Sequence, residues 1–270
     1  MSKDKSKQHQ EDLQRISCLR LIDDDFMTIC FDNYIEGAEL LLKIILDRDD
    51  LTVTEVRSQK AMKNLQGRDV WLDIYATDTN GDRYDIEVQR ADKGANPKRA
   101  RYHSSMVDSD MLGPNEDFTK LRENYVIFIT ENDVPGMNMP IYYIDRYYNG
   151  TNMQFDDGEH IIYVNGAMRS KDTALGKLMN DFFATKAKDM CYDELSERVR
   201  QYKETEEGVD TMCDILDEMR NEAAEEAKYD KSCEIAKKML EVGKMSMDEI
   251  ALCSGLSIEK IRELSGNKSA

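Results

Sequence analysis

Two acidic residues and one glutamine in the segment VWLDIYATDTNGDRYDIEVQ have types and spacing that suit metal-assisted hydrolysis. They are Asp73, Glu87 and Gln89. Carboxylate oxygens are the ligands that hard divalent cations such as Mg²⁺ prefer. A cation held between two carboxylates can lower the pKa of a bound water and neutralise charge on a phosphate under attack. These residue types therefore predict a metal-dependent phosphodiesterase centre if the fold brings the two acids together.

The relative position of the two acids depends on how the segment turns at Gly81. Apolar and polar residues alternate on both sides of the turn, which is typical of a β-hairpin and predicts that Leu72 and Ile74 share one face. A two-residue turn would place Glu87 among the apolar side chains. A three-residue loop with Gly81 in the left-handed conformation avoids this and sets Asp73 opposite Glu87. The Cβ atoms of directly opposed residues lie about 4.5 to 5.5 Å apart.

Like charges in opposed positions destabilise a hairpin, so we expect a compensating group. Asp85 alternates with Glu87 and Gln89 and points to the same face, which the following basic segment should cover. A divalent cation would turn the repulsion into a ligand set. The alternative is a plain polar face exposed to water, because the pattern D…ExQ recurs by chance in acidic sequences.

Four runs of the chain resemble the PD-(D/E)XK nuclease family transposases, also called recombination-promoting nucleases: LDIYATDTNGDRYDIEVQR, ADKGANPKRARYHSS, NYVIFITEND and HIIYVNGA. The resemblance extends from about Asp23 to the C-terminal helices and is most specific between Asp73 and Arg101. It implies a restriction-endonuclease-like core and DNA cleavage that depends on Mg²⁺, with Mn²⁺ as a substitute. By position, Asp73 is the motif aspartate, Glu87 is the second acidic ligand, and Gln89 stands where the wider superfamily usually has lysine.

Further residues receive expected roles from this resemblance and from their chemistry. Gln89 can orient a water by hydrogen bonding, but it cannot stabilise hydroxide by charge. The backbone carbonyl of Val88 is expected to join the metal ligands, and Glu36 or Asp25 could add an acidic ligand from the first helix. Four basic residues are expected to contact DNA phosphates: Arg90, Lys98, Arg99 and Arg101. The alternative for each base is a salt bridge to a neighbouring acid.

Hydrophobic periodicity predicts the elements that must position these residues. Helix spacing marks 23–46 and 97–112, and apolar β-branched runs predict strands over 124–130, 141–147 and 160–164, with a strand or loop over 51–56. The order strand, helix, strand favours a right-handed crossover. We predict the fold class α/β, a restriction-endonuclease-like mixed β-sheet flanked by helices, with an all-helical C-terminal tail.

Three regions are expected along the chain. They are a flexible N-terminal segment (1–20), a PD-(D/E)XK nuclease-like domain (21–190) and a helical C-terminal region (191–270). The C-terminal region ends in a pattern typical of a helix-turn-helix, with a turn at Gly255 and an N-cap at Ser257. Both a DNA-reading role and a helical hairpin that packs or forms a homodimer stay open.

The net charge of −17 opposes a simple nucleic-acid interaction, but its distribution is uneven. Residues 193–230 contain 14 acidic and 5 basic side chains, whereas residues 90–103 contain 5 basic and 1 acidic. Whole-protein charge is thus a poor guide to the hairpin. The 6 cysteines show no close CxxC pairing, and no apolar segment suits a signal peptide or a membrane span, which predicts a cytoplasmic protein without a membrane partner.

Three functions are compatible with the sequence. The first is a metal-dependent DNA endonuclease, tied to recombination, transposition or defence against mobile DNA. The second is a catalytically inactive, nuclease-derived module that binds DNA or a protein, which Gln89 and the acidic charge favour. The third is a phosphodiesterase directed at RNA.

Overall fold

Six strands of the chain form one mixed β-sheet. The computed structural model describes residues 2–63 and 68–266. The strands are β1 (Val53–Met62), β2 (Val70–Asp78), β3 (Arg83–Gln89), β4 (Asn124–Thr130), β5 (Ile141–Ile144) and β6 (Glu159–Asn165). They lie in the order β1-β2-β3-β4-β6-β5. The β1-β2, β2-β3 and β5-β6 pairs are antiparallel, while β3-β4 and β4-β6 are parallel, so the predicted mixed sheet is confirmed.

Helices precede the sheet, cross over it and follow it. They are α1 (Ser2–Cys18), α2 (Asp24–Phe31), α3 (Ile35–Leu46), α4 (Pro97–Met111), α5 (Ala174–Phe183), α6 (Asp193–Glu204), α7 (Glu206–Val242), α8 (Met247–Ser254) and α9 (Ile258–Gly266). This architecture confirms the predicted α/β class and the helical C-terminal region. No described helix combines the length and the apolar character needed to cross a lipid bilayer.

The β2-β3 hairpin has the predicted three-residue loop. Ile74 pairs with Ile86, and Gly81 adopts a left-handed φ of 85°. Asp78 stabilises the loop because its Oδ1 accepts hydrogen bonds from the backbone N–H groups of Asn80 and Asp82, both at 2.9 Å. These contacts fix the register that positions the acidic residues.

The segment predicted as one helix over 23–46 forms two helices, α2 and α3. Asn33 lies between them with a left-handed φ of 52°, a conformation that an α-helix cannot contain. Both helices bury apolar side chains in the core, among them Phe26, Met27, Ala38, Leu41 and Leu42. The left-handed residue therefore divides the segment into two short helices. The start of α2 lies near the hairpin.

The helix α4 connects the parallel strands β3 and β4, as the predicted crossover requires. Pro97 occupies its first turn, and the Asn96 side chain caps it by accepting a hydrogen bond from the Lys98 N–H at 2.8 Å. Ala100 and Val107 are buried on one side of the helix. Polar residues on this same side of the helix therefore face the sheet.

The N-terminal segment, for which the sequence predicted a flexible stretch over 1–20 with a short helix as the alternative, contains the helix α1. Ile16 is buried, and the ammonium group of Lys203 on α6 donates to the Leu19 carbonyl at 2.6 Å. Arg198 on α6 likewise donates to the Cys30 carbonyl at 2.9 Å. These long-range contacts are not visible in the polar local sequence. They attach α6 to the segments around α1 and α2, and the compact unit that contains the sheet ends at Val209, past the predicted boundary at residue 190.

The chain divides into two compact units, the first ending at Val209 and the second beginning at Asp210. In the second unit α8 ends at Gly255, which has a left-handed φ of 71°, and α9 follows directly. A small apolar core joins the helices through Ala236, Ile250, Leu256 and Ile261. The two helices and their turn follow the predicted helix-turn-helix pattern, while a DNA-reading role stays a prediction.

We expect Gly81→Ala to destabilise the protein by about 1–2 kcal/mol, because the alanine must adopt a left-handed conformation. The added Cβ would meet nothing closer than Arg122 Cγ at 3.7 Å, so the cost is one of backbone strain alone. Urea unfolding measures it. Gly81→Asn is the matched control, since asparagine tolerates this region better; an equal loss in both variants would contradict the assignment.

Candidate active site

The paired ladder of β2 and β3 ends one step before the two predicted acidic residues. Beyond the Ile74–Ile86 pair, side chains take the place of backbone partners. The Asp73 N–H donates to Glu87 Oε1 at 3.1 Å, and the Val88 N–H donates to Asp73 Oδ2 at 3.0 Å. These two hydrogen bonds hold the carboxyl groups side by side, as the predicted register requires.

The alternation of β2 breaks at Asp73. Its neighbour on β1 is Gln59, which has a left-handed φ of 48°. Leu72 and Tyr75 belong to one buried apolar cluster that includes side chains of α4, although residues three apart on a regular strand point to opposite faces. This cluster does not follow the predicted alternation, in which Leu72 and Ile74 share a face, and the left-handed Gln59 interrupts the regular geometry of β1 at the same level. The sequence does not signal this distortion.

The buried His103 of α4 contacts two acidic residues of β3. Its Nδ1 lies 2.9 Å from Asp85 Oδ2 and 3.7 Å from Glu87 Oε1. Its Nε2 accepts a hydrogen bond from Arg99 Nε at 3.1 Å, so that nitrogen carries no proton. The Nδ1–H therefore donates to Asp85. Burial lowers the pKa of His103, which favours the neutral ring.

Arg99 supplies the positive charge closest to the carboxyl groups. Its Nη2 donates to Glu87 Oε2 at 2.7 Å, and its side chain is 38% exposed while that of Glu87 is fully buried. The guanidinium thus reaches from the surface to an interior carboxylate. Removal of Arg99 would leave the buried Glu87 Oε2 without this hydrogen-bond donor, which is costly.

Burial and mutual repulsion raise the pKa values of three clustered carboxyl groups. Desolvation and the charge of Glu87 raise the pKa of Asp73 to about 8. Desolvation and the charge of Asp85 raise the pKa of Glu87 to about 8, and desolvation holds the pKa of Asp85 well above its ordinary value. Among the described residues no hydrogen bond reaches the buried Asp85 Oδ1. Such a cluster gains from a cation that replaces its protons.

The oxygen-rich cluster fits a hard divalent cation, and its accessible side is at Asp73. Asp85, Glu87 and His103 offer ligand atoms within 4.8 Å of one another. Both nitrogens of His103 are already engaged, however, and Mg²⁺ rarely gives up its whole water shell. Asp73 retains slight exposure and Asp24 is exposed, so water and a phosphate could reach the cluster from that side.

Asp24, the first residue of α2, is the acidic neighbour that the sequence analysis missed. Its charge contributes to the raised pKa of Asp73, and the charge of Arg99 acts on Asp24 in turn. The predicted candidates are Asp25, which is adjacent to Asp24 in the chain, and Glu36, whose charge acts on Tyr34. Their roles as ligands stay predictions. Only the position of Asp24 at the start of a helix could have singled it out.

Gln89 lies at the end of β3, two residues after Glu87. Its amide packs closely over the backbone of Gly94, since a Cβ at Gly94 would lie only 1.7 Å from Gln89 Oε1. Glycine at this position therefore leaves the space that the glutamine side chain occupies. The predicted role of Gln89 in orienting a water, and that of the Val88 carbonyl as a ligand, stay predictions.

The four predicted DNA-contacting bases differ in their surroundings. Lys98 and Arg101 are exposed on α4. Arg99 is paired with Glu87, and Arg90 contacts Asp23 at 3.1 Å and Glu131 at 3.2 Å. The salt-bridge alternative thus describes Arg90 and Arg99 in this structure. Phosphate contact stays a prediction for all four residues.

A family of known proteins matches the chain. The chain matches PD-(D/E)XK nuclease family transposases over residues 39–242. This match covers 204 of 270 residues and includes every strand of the sheet together with α4. No curated protein and no solved structure matches the chain significantly. The family match confirms the resemblance that the hairpin sequence indicated.

We expect the metal-free protein to lose stability as the pH rises from about 5 to about 8. The folded-state pKa values of Asp73 and Glu87 lie above those of unfolded carboxyl groups, near ~4, so the folded state binds more protons in this window. The free energy of unfolding then falls with pH, by at most about 1.4 kcal/mol per pH unit for each group.

Urea unfolding in EDTA at several pH values measures this slope. Asp73→Asn removes one of the titrating groups and keeps an oxygen acceptor for the Val88 N–H, so its slope should be shallower. A slope equal to that of the unaltered protein would contradict the raised pKa of Asp73.

Proposed function

We propose that this chain, which belongs to the PD-(D/E)XK nuclease family transposases, is a metal-dependent DNA endonuclease. Membership in a family of nucleases and transposases supports a hydrolase that acts on phosphodiester bonds. One observation carries the proposal. Where the backbone pairing of β2 and β3 ends, backbone N–H donors hold Asp73 and Glu87 together in a largely buried position. Clustered groups with strongly shifted pKa values are typical of functional sites, and a bound cation would offset the repulsion between these carboxylates.

Asp73 and Glu87 are the residues that would hold the cation, Mg²⁺ or Mn²⁺, with the backbone carbonyl of Val88. Asp24 is a candidate for a further ligand because its charge already acts on Asp73. When bound, the cation would lower the pKa of a water and neutralise charge on the scissile phosphate. Asp85 and His103 would act as positioning residues. They are hydrogen-bonded to each other and lie next to Glu87, so they restrict the orientation of its side chain.

The remaining residues bind and orient. Gln89 would align the attacking water through its amide, which Gly94 allows to lie close to the backbone. Lys98 and Arg101 would contact the DNA backbone from the exposed side of α4. Arg99 is also available to a phosphate through its exposed part, while its paired nitrogen keeps Glu87 in place.

The process served by this cleavage is proposed from the family alone. The printed family description names transposases, which supports DNA recombination or transposition, and defence against mobile DNA would need the same reaction. A cut through both strands by one site per chain favours a homodimer. The exposed apolar residues Val242 and Leu252 in the second unit support dimer contacts through the C-terminal helices.

One observation favours a second candidate, a DNA- or protein-binding module without catalysis. Arg99 already neutralises Glu87, and Gln89 cannot supply the charge of a lysine. Calorimetric titration with Mg²⁺ or Mn²⁺ separates the candidates, because the endonuclease must bind the cation. Competition between duplex DNA and RNA in the cleavage assay separates the endonuclease from an RNA-directed phosphodiesterase.

We expect Asp73→Asn to reduce divalent-dependent nicking of plasmid DNA by on the order of 100-fold or more, because it removes one charged ligand. The melting temperature in EDTA should not fall, since asparagine can still accept from the Val88 N–H and one buried charge is lost. Asp49→Asn, at an exposed site outside the cluster, is the control and should nick normally. Undiminished nicking by Asp73→Asn would refute the proposed centre.

We expect Gly94→Ala to lower the cleavage rate by on the order of 10- to 100-fold with little loss of stability, because the new methyl group displaces the Gln89 amide. Single-turnover cleavage and thermal unfolding measure the two effects. Gly113→Ala is the matched control, since its Cβ would come no closer than 3.3 Å to Glu116 Oε2. Full activity in Gly94→Ala would show that the position of Gln89 does not matter for the reaction.

A further inference from the structure

A cleft of about 650 Å³ opens beside the carboxyl cluster, lined by the start of β2 and by the residues that lead into α4. Arg99 and His103 line the cleft and also contact Glu87, so the cleft is continuous with the candidate active site. Its volume lies in the range of small-molecule sites, about 300–1,000 Å³. The proposed hydrolysis gives roles to Lys98, Arg99 and His103 of this lining but none to the rest of the cleft.

The cleft is cationic in an acidic protein. Besides Arg99, three basic residues line it, Arg68, Lys93 and Lys98, and Asp69 is the acidic residue among the lining side chains. The chain as a whole has a net charge of −17. A local excess of positive charge of this kind attracts phosphate groups of a nucleic acid strand.

An exposed indole ring lies among these cations. Trp71 lines the cleft and is 59% exposed, and it is the 1 tryptophan of the sequence. Tyr102 also lines the cleft, and its hydroxyl donates to the Arg68 carbonyl at 2.8 Å, which fixes the backbone that leads to Trp71. A large aromatic face beside cationic side chains is the combination by which proteins bind single-stranded nucleic acids.

We propose that this cleft binds an unpaired nucleobase of a single-stranded DNA segment beside the scissile phosphate, with Trp71 as the stacking surface. The inference rests on the proposed nuclease function and specifies its substrate class. Cations accept any phosphate backbone, whereas an aromatic ring needs a free face of a base. Bases inside a duplex are stacked on both faces, so they do not offer one.

The position of Trp71 on β2 relates the bound base to the site of cleavage. Trp71 precedes Asp73 by two residues, which corresponds to about 7 Å along a strand. Because Arg99 and His103 line the cleft and also contact Glu87, a base in the cleft would belong to a nucleotide close to the phosphate at the carboxyl cluster. DNA with an unpaired stretch at the cleavage position, such as a single strand or a flap, would satisfy both sites together.

The single tryptophan is a built-in reporter of this stacking. In the full-length Asp73→Asn protein in EDTA, an oligothymidylate of ten nucleotides should quench tryptophan emission in a saturable manner. A blunt-ended DNA hairpin with the same number of phosphates, in which a flexible ethylene glycol linker replaces the loop so that every base is paired, should not. Asp73→Asn prevents cleavage during the titration, so the measurement reports binding independently of catalysis.

Substitutions test the residues with labelled DNA and fluorescence anisotropy. Trp71→Ala should raise the Kd for oligothymidylate about 5-fold or more, as the loss of one stacked base predicts. The Kd for the DNA hairpin should not change. Trp71→Phe should lose less, because it keeps a ring. Phe118→Ala is the matched control, since Phe118 is 80% exposed and is not among the residues of the cleft.

The outcomes separate this inference from the proposed function. Saturable quenching without cleavage by the unaltered protein under any divalent cation would support base binding and refute the nuclease. Cleavage without quenching, or an unchanged Kd for oligothymidylate in Trp71→Ala, would refute base binding and leave the nuclease intact. Equal quenching by the blunt hairpin would also overturn the preference for an unpaired base.

Discussion

The repulsion among three carboxyl groups in a space with little water is the constraint on which the rest of this structure depends. Asp73, Asp85 and Glu87 lie too close together to ionise independently, and burial removes the water that would otherwise separate their charges. The fold opposes the repulsion with two backbone N–H groups, the imidazole of His103 and the guanidinium of Arg99. Each of these groups offsets only part of the negative charge of the carboxyl groups, so the cluster keeps an affinity for protons and for cations.

This constraint explains why α4 must lie against the hairpin. Arg99 and His103 are four residues apart, so they share one face of the helix, and their mutual hydrogen bond aligns both toward β3. The cap at Asn96 fixes where the helix begins, and the buried Ala100 and the parallel pairing of β3 with β4 fix how it crosses the sheet. A shift of α4 by one residue would rotate both bases away from the carboxyl groups. The local signals that start this helix therefore contribute directly to the electrostatics of the site.

The sequence predicts the parts of the site that depend on local rules. The hairpin register follows from alternation and from Gly81, and α4 follows from Pro97, so the neighbourhood of Asp73 and Glu87 was predictable. The sequence analysis did not predict Asp24 or His103, because their contacts join segments that are far apart in the chain or depend on side-chain direction. It also missed the left-handed Gln59, whose φ of 48° departs from regular strand geometry.

The distribution of charge decides how the acidic composition bears on nucleic-acid binding. Some acids of α7 form ion pairs with neighbours one turn away, as in the pairs of Glu225 with Lys228 and of Glu234 with Lys231 and Lys238. At physiological ionic strength, exposed charges act over about 8 Å, so a phosphate responds mainly to the side chains beside it. In the cleft these are predominantly cations. The net charge of −17 is therefore compatible with the proposed binding of a phosphate backbone in the cleft, and the acidic surface elsewhere would direct a nucleic acid toward the cationic side chains beside the carboxyl cluster.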